Sequence, residues 1–432
     1  MTSKHATDQP APRTTASVRR RCSPAELDRM KDLGASRPIL ADQALAIGRE
    51  PVDQGTDIKG LLRWVEALRR EQPRSIGFPG ALDFSYQELA PVLDVLVNNV
   101  GDPESSDASA VSAKRHELAV VRFLAETAGA DPDDIYGYVA GGGVEGIERG
   151  LELARERLPH APVYVSDQAH YAVRKVAERL RMKLVNVPSR PGGEMDPAEL
   201  RLRVAVRGHL GRVGLSGGRR PGAIILATTG STFRGAYDNV AALRRAASSA
   251  GALHVHVDAA MGGLIAAHAP SRPSWSFADG ADSISVSGHK VLGMPVPCSV
   301  FLAHRDHVGE GRPGAEYVGA TDRTWGCSRS GLAVLLLWAR LRSLGHDGLR
   351  ERVGACLDVA SYAAEQLAQV EGAAADRVTD SIVVTVNRPA EWVVDRWHLA
   401  VEGGRAHMVC VSHVTRATVD RFRDDLARGY AA

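Results

Sequence analysis

The stretch Asp282-Ser283-Ile284-Ser285-Val286-Ser287-Gly288-His289-Lys290 decides how the rest of the chain is read. Ser283 to Val286 reads as a short strand, and the run then breaks into a polar turn that delivers His289 and Lys290 just past the strand's end. In open α/β sheets, ligands bind outside the carboxyl ends of strands. A lysine brought there into a dry pocket is a natural Schiff-base nucleophile, because desolvation lowers its pKa and frees the neutral amine. Ser287 and His289 are placed to bind a phosphate beside it. Taken alone, the run is also compatible with a plain polar turn.

Three other pieces give it context. Upstream, His256-Val257-Asp258-Ala259-Ala260 is an apolar strand ending on a carboxylate. A carboxylate at that place can hold a cofactor ring nitrogen protonated and so make the ring an electron sink; a strand-end aspartate can equally cap the next helix. Further upstream, Tyr138-Val139-Ala140-Gly141-Gly142-Gly143-Val144-Glu145-Gly146 is a glycine-rich turn running into a helix. Its backbone N–H groups and positive dipole end suit a phosphate, although such turns also serve simple chain reversal. Between them, Val165-Ser166-Asp167-Gln168-Ala169-His170-Tyr171 puts an imidazole at the opening of a helix. That ring can stack on a planar cofactor or cap the helix.

Around these pieces, short apolar strands alternate with helical stretches. Strands are expected at Val163–Val165, Lys183–Val187, Ala223–Ala227, Leu253–Val257, Ser283–Val286 and Val300–Leu302, with a helix from Tyr171 to Leu180. The alternation predicts a largely parallel sheet covered by helices on both faces. After Cys327 the chain turns helical, Leu332 to Leu344 and then Gly348 to Gln369, and strands at Asp380–Val386 and Ala406–Val411 frame a smaller C-terminal α+β domain. Ser23-Pro24 marks a helix start, and Asp57 to Arg70 carries apolar residues at helical spacing. The expected organisation is a tail and helical arm over 1–74, a large domain over 75–304, and a loop, helices and small domain over 305–432.

Composition narrows the partners. The chain has 432 residues, 44% of them hydrophobic, enough for a large core. Its 53 Lys and Arg balance 51 Asp and Glu, which gives no electrostatic case for nucleic acid or an anionic membrane. Nothing supplies the roughly 18 consecutive apolar residues of a membrane span. The basic N-terminus is not followed by an apolar stretch of about 7 to 15 residues, so no secretory signal is expected. The five cysteines are widely spaced without a CxxC or Cys/His pattern, pointing to reduced thiols, a cytoplasmic protein and no metal site.

The order of glycine-rich turn, His170, Asp258 and Lys290 resembles the group II pyridoxal-phosphate decarboxylases of fold type I, the aspartate-aminotransferase-like class. The likeness is greatest to the bacterial histidine decarboxylase and plant serine decarboxylase branch. It extends through Ile76-Gly-Phe-Pro79, Asp83-Phe-Ser-Tyr86, Gly230-Ser231-Thr232-Phe-Arg234-Gly235-Ala236, Phe277-Ala-Asp-Gly280, Pro295-Val-Pro297-Cys298 and Ser328-Arg329-Ser-Gly331, from about residue 75 onward. The resemblance implies a mainly parallel seven-stranded sheet with a small C-terminal domain, and pyridoxal phosphate as cofactor. It implies that Lys290 bears that cofactor, that Asp258 pairs with the pyridinium nitrogen, and that His170 and Ala260 lie against the two ring faces. Gly142, Gly143, Val144, Ser287 and His289 fall at phosphate positions, Ser231 or Thr232 near the ring hydroxyl, and Ser328 near the site at a dimer interface. Tyr317 falls where relatives have a mobile-loop tyrosine that donates the proton. An L-amino acid substrate and a homodimer with shared sites follow.

The chain also departs from that pattern. Val144 replaces a threonine whose hydroxyl bonds phosphate, Ile147 replaces an asparagine, and Leu332 stands where relatives carry a histidine. Phe78-Pro79-Gly80-Ala81 is less polar than the matching segment of the histidine enzymes, which points to an aliphatic, valine-like substrate. The leading expectation is decarboxylation of an L-amino acid to its amine. A decarboxylative aldehyde-forming or condensing enzyme, and a cofactor-free relative, are the alternatives.

Overall fold

The computed structural model describes Ile47, Arg49 and residues 54–106, 110–212, 222–314 and 316–431. The N-terminal tail and the helix start at Ser23-Pro24 lie outside the described residues. The chain divides into two compact units, Met1–Val65 and Glu66–Ala432. Most of the first unit's described residues open the helix Gln54–Glu71, whose Ile58, Leu61, Leu62 and Trp64 are exposed.

The second unit is organised by a seven-stranded sheet whose spatial order is Ile135–Ala140, Ser299–His304, Ser283–Ser287, Leu253–Asp258, Ala223–Thr228, Val163–Ser166, Leu184–Val187. Ser299–His304 runs antiparallel to both its neighbours, and the remaining pairs are parallel. Burial on both faces explains the uninterrupted apolar strands. On Ala223–Thr228, Ile224 and Leu226 enter one core with Ile147, Leu151, Val163 and Val165, whereas Ile225 and Ala227 enter the main core on the other face. That is the period of two expected of a strand. The strand Ile135–Ala140 was not among the expected ones. Its alternation of Tyr136, Gly137 and Tyr138 leads straight into the glycine turn and hides a segment that is buried at all six positions.

The helix Gly143–Arg157 packs on this sheet through glycines. A Cβ added to Gly146 would come 2.6 Å from Ser285 Cβ, and one on Gly150 would come 2.2 Å from His256 Nδ1. The helix axis therefore lies closer to the strands than any side chain permits, and its N-terminal turn is set down at the strand ends. Gly331–Ala368 consists of two helices that meet at a kink at Gly345 (φ 59, ψ −172), between the two helices expected there. A three-stranded antiparallel sheet in the order Val383–Asn387, Arg405–Val409, Ala400–Glu402 forms the small C-terminal layer, with the helices Glu391–Trp397 and Arg416–Ala431. No helix among the described residues is long and apolar enough to cross a membrane.

Candidate active site

Asp258 is the last residue of its strand, and its parallel neighbour pairs Ser285 with it before running on to Ser287 and Lys290. The glycine turn lies over these two strand ends. A Cβ on Gly143 would stand 3.3 Å from Ser287 Oγ and 3.9 Å from Ala260 Cβ, whereas one on Gly142 would meet nothing within 4 Å. The turn, Ala260 and Ser287 thus enclose a niche lined by small residues. His170 enters from the loop after Val163–Ser166, with its ring 4.5 Å from that of Tyr171.

The charges are coupled. Burial lowers the pKa of Lys290, opposed by the Asp258 carboxylate. Burial also lowers that of His170, with Asp258 raising it and Lys290 lowering it. The three side chains therefore share one electrostatic neighbourhood, and both bases are biased toward their neutral forms. His170 Nδ1 accepts from the Ala172 amide at 3.3 Å, which leaves Nε2 as the protonated nitrogen. His289 Nδ1 accepts from Cys298 N–H at 3.2 Å, which fixes the ring and leaves Nε2–H to donate to a ligand.

The niche fits a phosphate. Ser287 Oγ is buried and has no hydrogen-bond partner, an arrangement that costs free energy unless a ligand completes it. The turn itself is shaped by Glu145, whose Oε2 accepts from Gly141 N–H at 2.7 Å while Oε1 is buried without a partner. Burial raises the pKa of this carboxyl group. Glu145 was not among the expected site residues. Its position four residues after Gly141, in the first turn of the helix, was the available signal. Val144 is at the edge of the niche and brings no hydroxyl. Ile147 is in the core beneath the helix and packs on the sheet.

The other expected residues are placed less directly. Ser231 Oγ accepts from Ala236 N–H at 3.0 Å and so closes its own turn. That turn begins at Thr229, whose N–H donates to Asp258 O at 2.9 Å. Thr232 is exposed. Tyr317 is exposed in the turn between the paired segments Arg312–Pro313 and Thr321–Asp322. Ser328 is exposed on a ribbon with Asn98–Val100 and accepts from Asn98 Nδ2 at 3.3 Å. Its neighbour Arg329 is buried, bonded to Glu117 and lying over the Tyr138 ring. Among the described residues, no hydrogen bond joins Tyr317, Thr232 or Ser328 to Lys290.

The sequence also gave no sign of how the small sheet reaches the site. Val409 N–H donates to Ile76 O at 2.6 Å, and Ala81 N–H donates to Lys290 O at 2.9 Å. The segment Ser75–Leu82 is thereby strung from the small sheet to the lysine, and Gly80 faces the His289 carbonyl. At the opposite ends of the central strands, His254, Asp282 and His307 converge within 4.8 Å. There Asp282 pairs with Arg244 at 2.8 Å and with Arg157 at 3.5 Å, so arginines supply the positive charge that its carboxylate requires.

Residues 148–381 match the family model described as the pyridoxal-dependent decarboxylase conserved domain. The chain is 33% identical to serine decarboxylase 2 of Oryza sativa over 84% of its own length and 76% of that protein. It is 35% identical to histidine decarboxylase of Pseudomonas fluorescens over 78% of its own length and 82% of that protein. In fold it is similar to L-methionine decarboxylase from Streptomyces sp. 590, with a TM-score of 0.82 at 22% identity, covering 91% of this chain and 98% of the other.

Proposed function

Because the chain belongs to the pyridoxal-dependent decarboxylase family and is an amino acid decarboxylase that uses pyridoxal phosphate, we propose that its substrate is an L-amino acid with an aliphatic side chain. One observation carries the assignment of residues: Lys290, Asp258 and His170 share one buried neighbourhood beside an unpartnered Ser287 hydroxyl under the Gly143 turn. When bound, pyridoxal phosphate supplies the electron sink for the charge left on the α-carbon as carbon dioxide departs.

The chain's own residues do the rest. Ser287, His289 Nε2 and the amides of the Gly142–Val144 turn hold the phosphate. Asp258 would hold a protonated ring nitrogen by its charge, and His170 and Ala260 would lie against the ring. Lys290, its pKa lowered by burial, would hold the cofactor through Nζ. Tyr317 supplies the proton to the α-carbon from its exposed loop, which a second copy of the chain in a homodimer would cover together with Ser328.

The side chain is the finer part of the proposal. The relatives are named for serine and histidine, and the structural neighbour for methionine. Phe78-Pro79-Gly80-Ala81, tied to Lys290 by the Ala81 amide, offers no polar side chain to read a hydroxyl or an imidazole, which favours an aliphatic group. The test is a panel of amino acids incubated with the cofactor-loaded enzyme, with amine, aldehyde and carbon dioxide quantified. Equal amounts of amine and carbon dioxide from valine, leucine or methionine, well above those from histidine and serine, are expected. Preference for histidine or serine would overturn the substrate, and aldehyde with oxygen uptake would overturn the outcome.

A further inference from the structure

Two histidines of the small C-terminal layer grip Ser75–Leu82, and they differ in hydrogen-bonding demand. His413 is complete as a neutral ring: Nδ1 accepts from Leu82 N–H at 3.3 Å, and Nε2–H donates to Ser75 O at 3.0 Å. His407 meets two acceptors. Its Nδ1 lies 3.0 Å from Phe233 O and its Nε2 3.0 Å from Gly77 O. A neutral imidazole has one N–H, so it donates to one carbonyl and turns a lone pair toward the other. Only the doubly protonated ring donates to both.

The two carbonyls belong to two walls of the candidate site, each tied by a backbone hydrogen bond to a site residue. Gly77 opens Phe78-Pro79-Gly80-Ala81, the segment bonded to Lys290, and it is pressed so closely on the small layer that an added Cβ would lie 2.2 Å from His398 O. Phe233 follows Ser231 and Thr232 in the turn anchored to Asp258 O through Thr229. The Phe233 ring itself lies 4.8 Å from that of His407.

We propose that His407 is a positioning residue for the reaction: its second proton draws the Gly77 and Phe233 carbonyls onto one buried cation and fixes the spacing between the two walls. Substrate binding then tightens as the pH falls through the titration of His407. Burial lowers the pKa of the ring, while its two carbonyls and Glu402 raise it, so that titration lies below the ordinary histidine range. The charged groups on the surrounding elements are Arg405 on its own strand, Glu402 on the next, Arg234 with Asp376 beside the turn, and His398 with Glu71 beyond Gly77. Among the described residues, Glu402 is the one that acts on the ring.

The proposal rests on the active-site reading above, and its test separates the two. Nitrogen NMR of the histidine-labelled, cofactor-loaded enzyme should show both ring nitrogens of His407 protonated on mild acidification, at a pH where the protein remains folded. His407→Gln identifies the resonance and offers one donor and one acceptor at every pH. In the wild type, KM for the preferred amino acid should fall roughly fivefold across that titration, the worth of about one hydrogen bond. In the variant it should stay high at all pH values, with the absorbance of lysine-bound cofactor unchanged. A His407 ring that keeps a single neutral tautomer throughout the folded range, or a KM profile that is the same in the variant, would overturn the proposal. The NMR measurement on the wild type decides even if the variant fails to fold or the substrate has been assigned wrongly.

Discussion

Gly143 and Ser287 face each other so closely that a methyl group on the first would stand 3.3 Å from the hydroxyl of the second. They come from a helix start and a strand end far apart in sequence, and they define the niche in which the Ser287 oxygen is buried without a partner. Ser287→Ala removes that oxygen. Cofactor affinity, measured by titrating the cofactor-free protein, should weaken roughly ten- to hundredfold, the worth of one hydrogen bond to a charged group. Stability of the cofactor-free protein should not fall, since the hydroxyl has no partner there.

Val144→Thr makes the opposite change at the edge of the same niche. A hydroxyl is introduced next to Gly143, and cofactor affinity should rise by about tenfold. An unchanged dissociation constant would mean that the residue does not face the phosphate.

Gly150→Ala tests the close approach of helix and sheet. Alanine is the better helix former by about 1 kcal/mol, yet its Cβ would lie 2.2 Å from His256 Nδ1, a nitrogen also 2.9 Å from Ser283 Oγ. Overpacking of this kind costs about 1–3 kcal/mol. Thermal unfolding should show a net loss of stability and, because the helix start moves, weaker cofactor binding. A more stable variant would contradict the packing described.

Glu145→Gln separates shape from charge. Burial raises the pKa of Glu145, so the folded protein holds this proton more tightly than the unfolded chain does. Its contribution to stability is fully present below the ordinary glutamate range and is lost as the pH rises through the raised value. Glutamine still accepts from Gly141 N–H. The variant should match the wild type in acid and exceed it at neutral pH, where it should also bind the phosphate-bearing cofactor more tightly. Equal stability at all pH values would count against a carboxylate destabilised by burial.

Much of this architecture was legible in the sequence because local chemistry and tertiary role coincide. Ala223 to Ala227 is apolar at every position because both faces of a parallel sheet are covered, Asp258 is marked by ending a strand on a carboxylate, and Lys290 by following a strand through a polar turn. The rest depends on contacts that no local pattern encodes. Ile135–Ala140 is hidden by its own glycine and by the turn that follows it. The role of Gly150 is set by His256, more than a hundred positions away, and the grip of His407 on Gly77 joins residues from the two ends of the large unit. Ser328 and Tyr317 are exposed in a single chain, so their expected part in the site depends on a second copy.

The proposed chemistry requires that Lys290 carry the cofactor. Borohydride reduction of the purified holoenzyme followed by peptide mass mapping tests it directly. A phosphopyridoxyl group is expected on the peptide containing Lys290, with complete loss in Lys290→Ala. An unmodified Lys290, with the label on another lysine or none bound at all, would contradict it.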